Sequence, residues 1–186
     1  MLTALAPFVG ENILSLEDAR AHLRLTSSDT HHDASVIASR DAAIAWVETY
    51  TGKSLQQRQF VWTARQFCRA MALPIGPITS IDAVEYYEAD GTEVALVDGD
   101  WYLGDHQLLA AHGTSWPVSS GEAGSVRVTL TAGYAAADDI PADLMAALKL
   151  MMGHLFAMRE GVAQGGGVEE VPFGITALAQ SYRPIL

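Results

Sequence analysis

Apolar residues recur at three- and four-residue steps in the segment 36–47. Val36, Ile37, Ala43, Ile44 and Val47 are predicted to share one side of a helix that Asp33 caps and that runs through Tyr50. Trp46 and Tyr50 make a second line four apart, and Gly52 stands where a left-handed residue closes a helix. A shorter helix is predicted before it: Ser15 caps, Asp18 reaches back, and Ala19 and Leu23 carry the pattern to about Leu25. A third follows Asp139-Ile140-Pro141, with proline at the first helical position. Its residues Leu144, Leu148, Met151, Leu155 and Met158 repeat at alternating steps of four and three, beside a second stripe of Met145, Met152 and Phe156. An apolar arc this wide predicts burial on two sides, and Met145, Met152 and Phe156 are the candidates for a contact between subunits.

Between these helices the period changes to two. Phe60, Trp62 and Ala64 alternate with Gln59, Val61, Thr63 and Arg65. A strand over 81–87, a turn at Ala89-Asp90-Gly91 and a returning strand over 92–97 make a hairpin. Residues 101–103 and 107–110 read as short further strands, and Val126, Val128 and Leu130 alternate up to Gly133-Tyr134. The fold class is therefore α+β. Helices in 1–54 and 135–161 form a bundle, 55–134 is a β-rich insertion, and 162–186 is a joint through Gly165-Gly166-Gly167 followed by an extended C-terminal arm with a last helical stretch over 175–182.

The chain has 186 residues, 11 Lys and Arg against 22 Asp and Glu, a net charge of −11, and 49% apolar residues. That balance argues against a protein that grips nucleic acid through phosphates and against a disordered acidic tail. No Lys or Arg lies between Arg69 and Arg127, a stretch holding nine acids, which predicts that the negative charge gathers in the β segment. Asp98, Asp100 and Asp105 offer hard oxygen ligands, but their spacing does not match a calcium loop, and a charged face that protects strand edges accounts for them. Cys68, the one cysteine, forms no internal disulfide and reads as a small buried residue. The first basic residue is Arg20 and the most apolar stretch is broken by Lys149 and His154, so neither a leader peptide nor a membrane span is expected.

Catalytic constellations are missing from the pattern. His31-His32-Asp33 invites a metal or a general base, but adjacent side chains on a helix do not face each other and no second ligand cluster follows. His22, His106, His112 and His154 are scattered singly. Ser119-Ser120-Gly121 lacks the strand and helix of a nucleophile elbow, and the glycine triplet lacks the Lys-Ser/Thr of a phosphate loop. No enzyme, catalytic residue, metal or cofactor is expected.

The ordered set of segments does resemble a known family. Residues 14–25 (LSLEDARAHLRL) and 45–55 (AWVETYTGKSL) come first. Then come Leu73-Pro74 leading to Val84-Glu85-Tyr86-Tyr87 and Asp90-Gly91, and Val128 to Gly133-Tyr134 with Ile140-Pro141. Met158-Arg159-Glu160, Gly165-Gly166-Gly167, Pro172-Phe173-Gly174-Ile175 and Tyr182-Arg183-Pro184 complete it. Together they resemble the head–tail connector (adaptor) proteins of long-tailed phages and gene transfer agents over nearly the whole chain. The resemblance implies a non-enzymatic subunit of a homo-oligomeric ring, typically twelvefold, assembled in the cytoplasm and sited in the neck of a virion or phage-like particle. Such a ring lies under the portal protein, extends the DNA channel without reading sequence, and receives a tail-side stopper ring. Its portal-binding residues would be Phe173, Gly174, Ile175, Leu178, Tyr182, Arg183 and Pro184, with Phe173, Ile175, Leu178 and Tyr182 along one helical face. The competing readings are a neighbouring neck ring (stopper or tail terminator) and a small acidic binding module.

Overall fold

The computed structural model describes residues 1–26, 28–104, 106–158 and 173–183. The chain is α+β and forms two compact units. One is a β unit built from Met1–Phe8 and Gln57–Gly133, and the other is a helical unit built from Val9–Gln56 and Tyr134–Leu186. The first eight residues thus belong with the strands, not with the N-terminal helices.

The helical unit contains α1 (Gly10–Ile13), α2 (Leu16–His22), α3 (Asp33–Thr51), α4 (Ala142–Ala157) and α5 (Phe173–Ala179). Ser15 caps α2: its hydroxyl oxygen accepts the Asp18 N–H at 3.0 Å and its O–H donates to the Asp18 carboxylate at 2.6 Å. Asp33 is not the cap of α3. His32 holds that position, and Asp33 is the first helical residue, its carboxylate drawn away by a two-pronged ion pair with the Arg20 guanidinium. At the other end Gly52 adopts φ 64° and donates its N–H to the Glu48 carbonyl oxygen. Val36, Ala43, Ile44 and Val47 are fully buried, whereas Ile37 is exposed, because its neighbour Val36 lies a full 100° turn nearer the core.

Arg40 is the one buried charge of α3, 5% exposed. Its guanidinium donates to the Glu11 carboxylate at 2.7 Å, to the Leu14 carbonyl at 3.1 Å and to the Asp41 carboxylate at 3.0 Å. Gly10 lies so close to this network that a Cβ there would sit 2.2 Å from the Asp41 Oδ1. Arg40→Ala is therefore expected to cost about 2 kcal/mol in chemical denaturation. That is less than a fully buried broken pair, because Glu11 and Asp41 remain open to water.

α4 begins after Pro141, which is the cap and not the first helical residue. Leu144, Ala147, Leu148, Met151 and Met152 are buried, and α4 packs on both α3 and α5. The two-sided burial predicted from the sequence is thus met within one chain.

The β unit has two antiparallel sheets. The larger has the order β1-β2-β8-β4-β5, and the smaller β3-β7-β6. The strands are β1 (Leu2–Ala4), β2 (Arg58–Ala64), β3 (Ala70–Ala72), β4 (Ile78–Tyr87), β5 (Glu93–Ala95), β6 (Trp101–Gly104), β7 (Gln107–Ala110) and β8 (Val126–Ala132). In β8 the buried Val126, Val128, Leu130 and Ala132 alternate with Arg127, Thr129 and Thr131. Phe60, Val84 and Tyr86 of the large sheet share a core with Met71 and Leu108 of the small one.

Strand β8 is the hub: β2 and β4 flank it and both run opposite to it. The starts of β2 and β4 and the end of β8 therefore lie at one end of the sheet. All three points where the chain passes to the helical unit, at 8/9, 56/57 and 133/134, are at that end. The opposite end carries the segment 65–69, the turn 88–92 and the loop 117–125. There Gly91 takes φ 86°, its N–H donates to the Glu88 carbonyl, and the Asp90 carboxylate accepts the Thr92 N–H.

Charge is not gathered in the β unit. It carries nine acids and four arginines, and the helical unit thirteen acids and seven basic residues. Cys68 is exposed, against expectation, with its thiol at 3.4 Å from the Ala70 carbonyl. Among the described residues no helix is long and apolar enough to cross a membrane, and no group of three or more His, Cys, Asp or Glu could hold a metal ion.

Candidate functional site: the C-terminal segment

The segment 173–183 combines exposed apolar surface with a defined seat. Ile175 (2% exposed) and Ala179 (fully buried) are set against the helical unit, where α5 packs chiefly on α4 and to a lesser extent on α3. Residues 175, 178, 179 and 182 follow helical spacing and share that side. Leu178 and Tyr182 are half-buried. Phe173 is 83% exposed and does not lie on this side. Two residues along a helix is a rotation of about 200°, so Phe173 and Ile175 face opposite ways. Gly174 and Ala177 are exposed with Phe173. Pro184, together with the glycine triplet and the rest of 159–172, lies outside the described residues.

A 3-10 turn over Gln180–Tyr182 continues the segment back toward the bundle. The Tyr182 O–H donates to the Asp143 carboxylate at 3.3 Å. The Arg183 guanidinium sits 5.0 Å from the ring centroid of Tyr50, which stacks on Trp46 at 4.9 Å. Trp46 and Tyr50, legible as a line four apart, thus receive the end of the chain. Asp143 was not singled out by the sequence, and nothing in its spacing marks it.

Burial holds the Tyr182 and Tyr134 hydroxyls above the usual tyrosine range, with the Asp143 carboxylate adding to the effect at Tyr182 and Tyr182 itself at Tyr134. A folded pKa above the unfolded value means the docked state is favoured below about 10 and loses that contribution as pH rises through the folded values. Ultraviolet absorbance of tyrosinate should therefore titrate later in the wild type than in free tyrosine. Tyr182→Phe should remove part of the late component and leave the part that burial of Tyr134 supplies.

The three subunit-contact candidates separate. Met152 is fully buried in its own chain and has no surface to offer a neighbour. Met145 and Phe156 are half-buried, and Phe156 meets the His32 ring edge-on at 6.1 Å. The exposed large apolar side chain of α4 is Leu150, at 46%. In the β unit Asp98 is exposed. The Asp100 carboxylate accepts the Val97 N–H and so closes a turn, and Asp105 lies outside the described residues.

No protein-family model and no curated protein matches the sequence. Solved structures do. The chain aligns over 100% of its length with 96% of a chain in the neck of an empty gene transfer agent (GTA) particle computed with C6 symmetry, at TM-score 0.80 and 29% identity. It aligns over the same shares with a chain of the virion of a native GTA particle at TM-score 0.81 and 28% identity. With a chain in the neck of a native GTA particle computed with C12 symmetry the TM-score is 0.74 and the identity 26%. In fold, and from end to end, the chain is similar to proteins of the gene transfer agent neck.

Proposed function

We propose that the chain is a structural, non-enzymatic neck subunit: a head–tail connector that forms a ring beneath the portal, prolongs the DNA channel and seats the tail-side ring. The observation that carries this is the end-to-end alignment with neck chains, which leaves no domain of either protein unmatched beyond 4% of the other chain. The C6 and C12 symmetries belong to those assemblies, and a closed ring of this chain is the corresponding reading. The helical ends and the β insertion match what the sequence resemblance implied.

The C-terminal segment is the portal contact in this reading. Phe173 and Gly174 present the free side of α5, while Ile175, Leu178, Tyr182 and Arg183 hold the segment to its own bundle until a portal groove competes for them. Net negative charge suits a channel wall past which a duplex slides, since like charges do not bind it. The test is to delete the gene in particle-producing cells and image the product. Filled heads without tails are expected, and an antibody or tag should place the restored protein at the neck. Normal tailed particles in the deletion would refute the reading.

A further inference from the structure

The end of the β unit opposite the three chain crossings carries opposite charges on its two flanks. On the β2 flank, Arg65 and Arg69 are exposed. Arg20, Arg40 and Arg127 are held by carboxylates, and Arg58 and Arg183 lie over aromatic rings. No ion pair or ring contact holds Arg65 or Arg69 among the described residues. On the β4 flank, the turn 88–92 and the loop 120–125 enclose a hollow of about 480 Å³ lined by Tyr87, Glu88, Asp90, Ser120, Glu122 and Gly124, among others. Glu88 and Glu122 are exposed, and their carboxylates have no partner among the described residues.

The backbone fixes both flanks. The Ser120 N–H donates to the Tyr87 carbonyl and the Tyr87 N–H to the Ser125 carbonyl, which ties the loop to the end of β4. The Ser125 hydroxyl donates to the Arg65 carbonyl, which ties the same loop to the end of β2. Strand β8 separates β2 from β4, so the ends of these two strands stand about 10 Å apart. Among the described residues no ion pair joins the two flanks.

We propose that this end of the β unit is a contact between copies of the chain, in which Arg65 and Arg69 of one subunit meet the hollow of Glu88, Asp90 and Glu122 on the next. The inference rests on the ring reading above. In a closed ring of more than two subunits each contact joins two different surfaces, and these flanks are two such surfaces of opposite charge on one unit. Such pairs set register and exclude wrong orientations more than they add affinity, so the contact is sensitive to salt.

Charge reversal tests it in cells that make particles but lack the native gene. Arg65→Glu with Arg69→Glu, and separately Glu88→Arg with Glu122→Arg, should each lower the yield of tailed particles at least about tenfold, since like charges then face each other. Expressed together, the two reversed chains should recover most of that yield, because alternating subunits restore opposite charges at every contact of an even-numbered ring. Unchanged yield from either variant, or no recovery on co-expression, overturns the proposal; the latter outcome assigns the hollow to a different basic partner. A second measurement does not depend on reversed chains folding. Glu122→Cys, with the native Cys68 beside the arginines, should give a reducible ladder of subunit multiples when particles are mildly oxidised. Monomer alone, or an intrachain crosslink, would count against the contact. Tailed particles that survive deletion of the gene sink the ring reading itself. Loss of tails on deletion, with full rescue by the arginine reversal, sinks only this contact.

Discussion

Removing the residues from 171 onward is expected to leave a folded subunit, full heads and no attached tails. The loss has two physical parts that separate variants can divide. Ile175 and Ala179 cover the α5-facing side of α4, so truncation uncovers apolar surface and should lower the melting temperature modestly. Phe173 adds nothing to that burial, being 83% exposed. Phe173→Ala should therefore stay within about 0.5 kcal/mol of wild-type stability. An aromatic anchor in a protein groove is worth about 2 kcal/mol or more per contact, and a ring repeats it at every subunit. The expected result is a subunit that melts normally yet joins heads at least about tenfold less well. Ile175→Ala should show the opposite balance, with stability reduced and docking of the segment loosened. Full tail attachment by both Phe173→Ala and the truncation would remove the segment from the portal contact.

The largest effect on stability is expected at Leu148. It is fully buried in α4, whose neighbouring turns bring Leu144, Met151 and Met152 into the same packed region. Leu148→Ala should cost about 2–5 kcal/mol, the span set by how far the surrounding side chains close the void. Leu150→Ala, two residues on and 46% exposed, should cost well under 1 kcal/mol. Denaturant titration of the pair gives the comparison directly. Hydrogen exchange should show the Leu148→Ala loss first in α3, α4 and α5, the helices that share this packing. Equal costs at the two positions would mean that α4 is not seated as described.

The two long helices were legible because each repeats its apolar period through several turns. Ser15 and Gly52 were legible because capping needs particular residue types. The strands 58–64 and 126–132 alternate over seven residues, enough for a period of two to show. What escaped was short: β1, α1 and β3 span three or four residues each, too few for any period. β1 exists because β2 offers it a long-range partner, with Leu2 opposite Trp62, which no local pattern announces. At the C-terminal segment the residue types were found, but Phe173 was placed on the wrong side. Counting an i, i+2 step as one face is a strand habit carried into a helix. The acid-rich run between Arg69 and Arg127 misled for another reason. A sequence window excludes the arginines that the fold returns to the same unit, and Arg127 pairs with Glu85 and Glu93 across strands.

The hub position of β8 imposes an order on synthesis. During translation β2 and β4 leave the ribosome well before the strand that both must pair with, and neither pairs with the other. Until residue 132 has emerged, their apolar sides and unpaired backbone edges stay open to chaperones or to other nascent chains. Messages cut short anywhere between the two halves of the sheet should therefore yield aggregates, not a partly folded β unit.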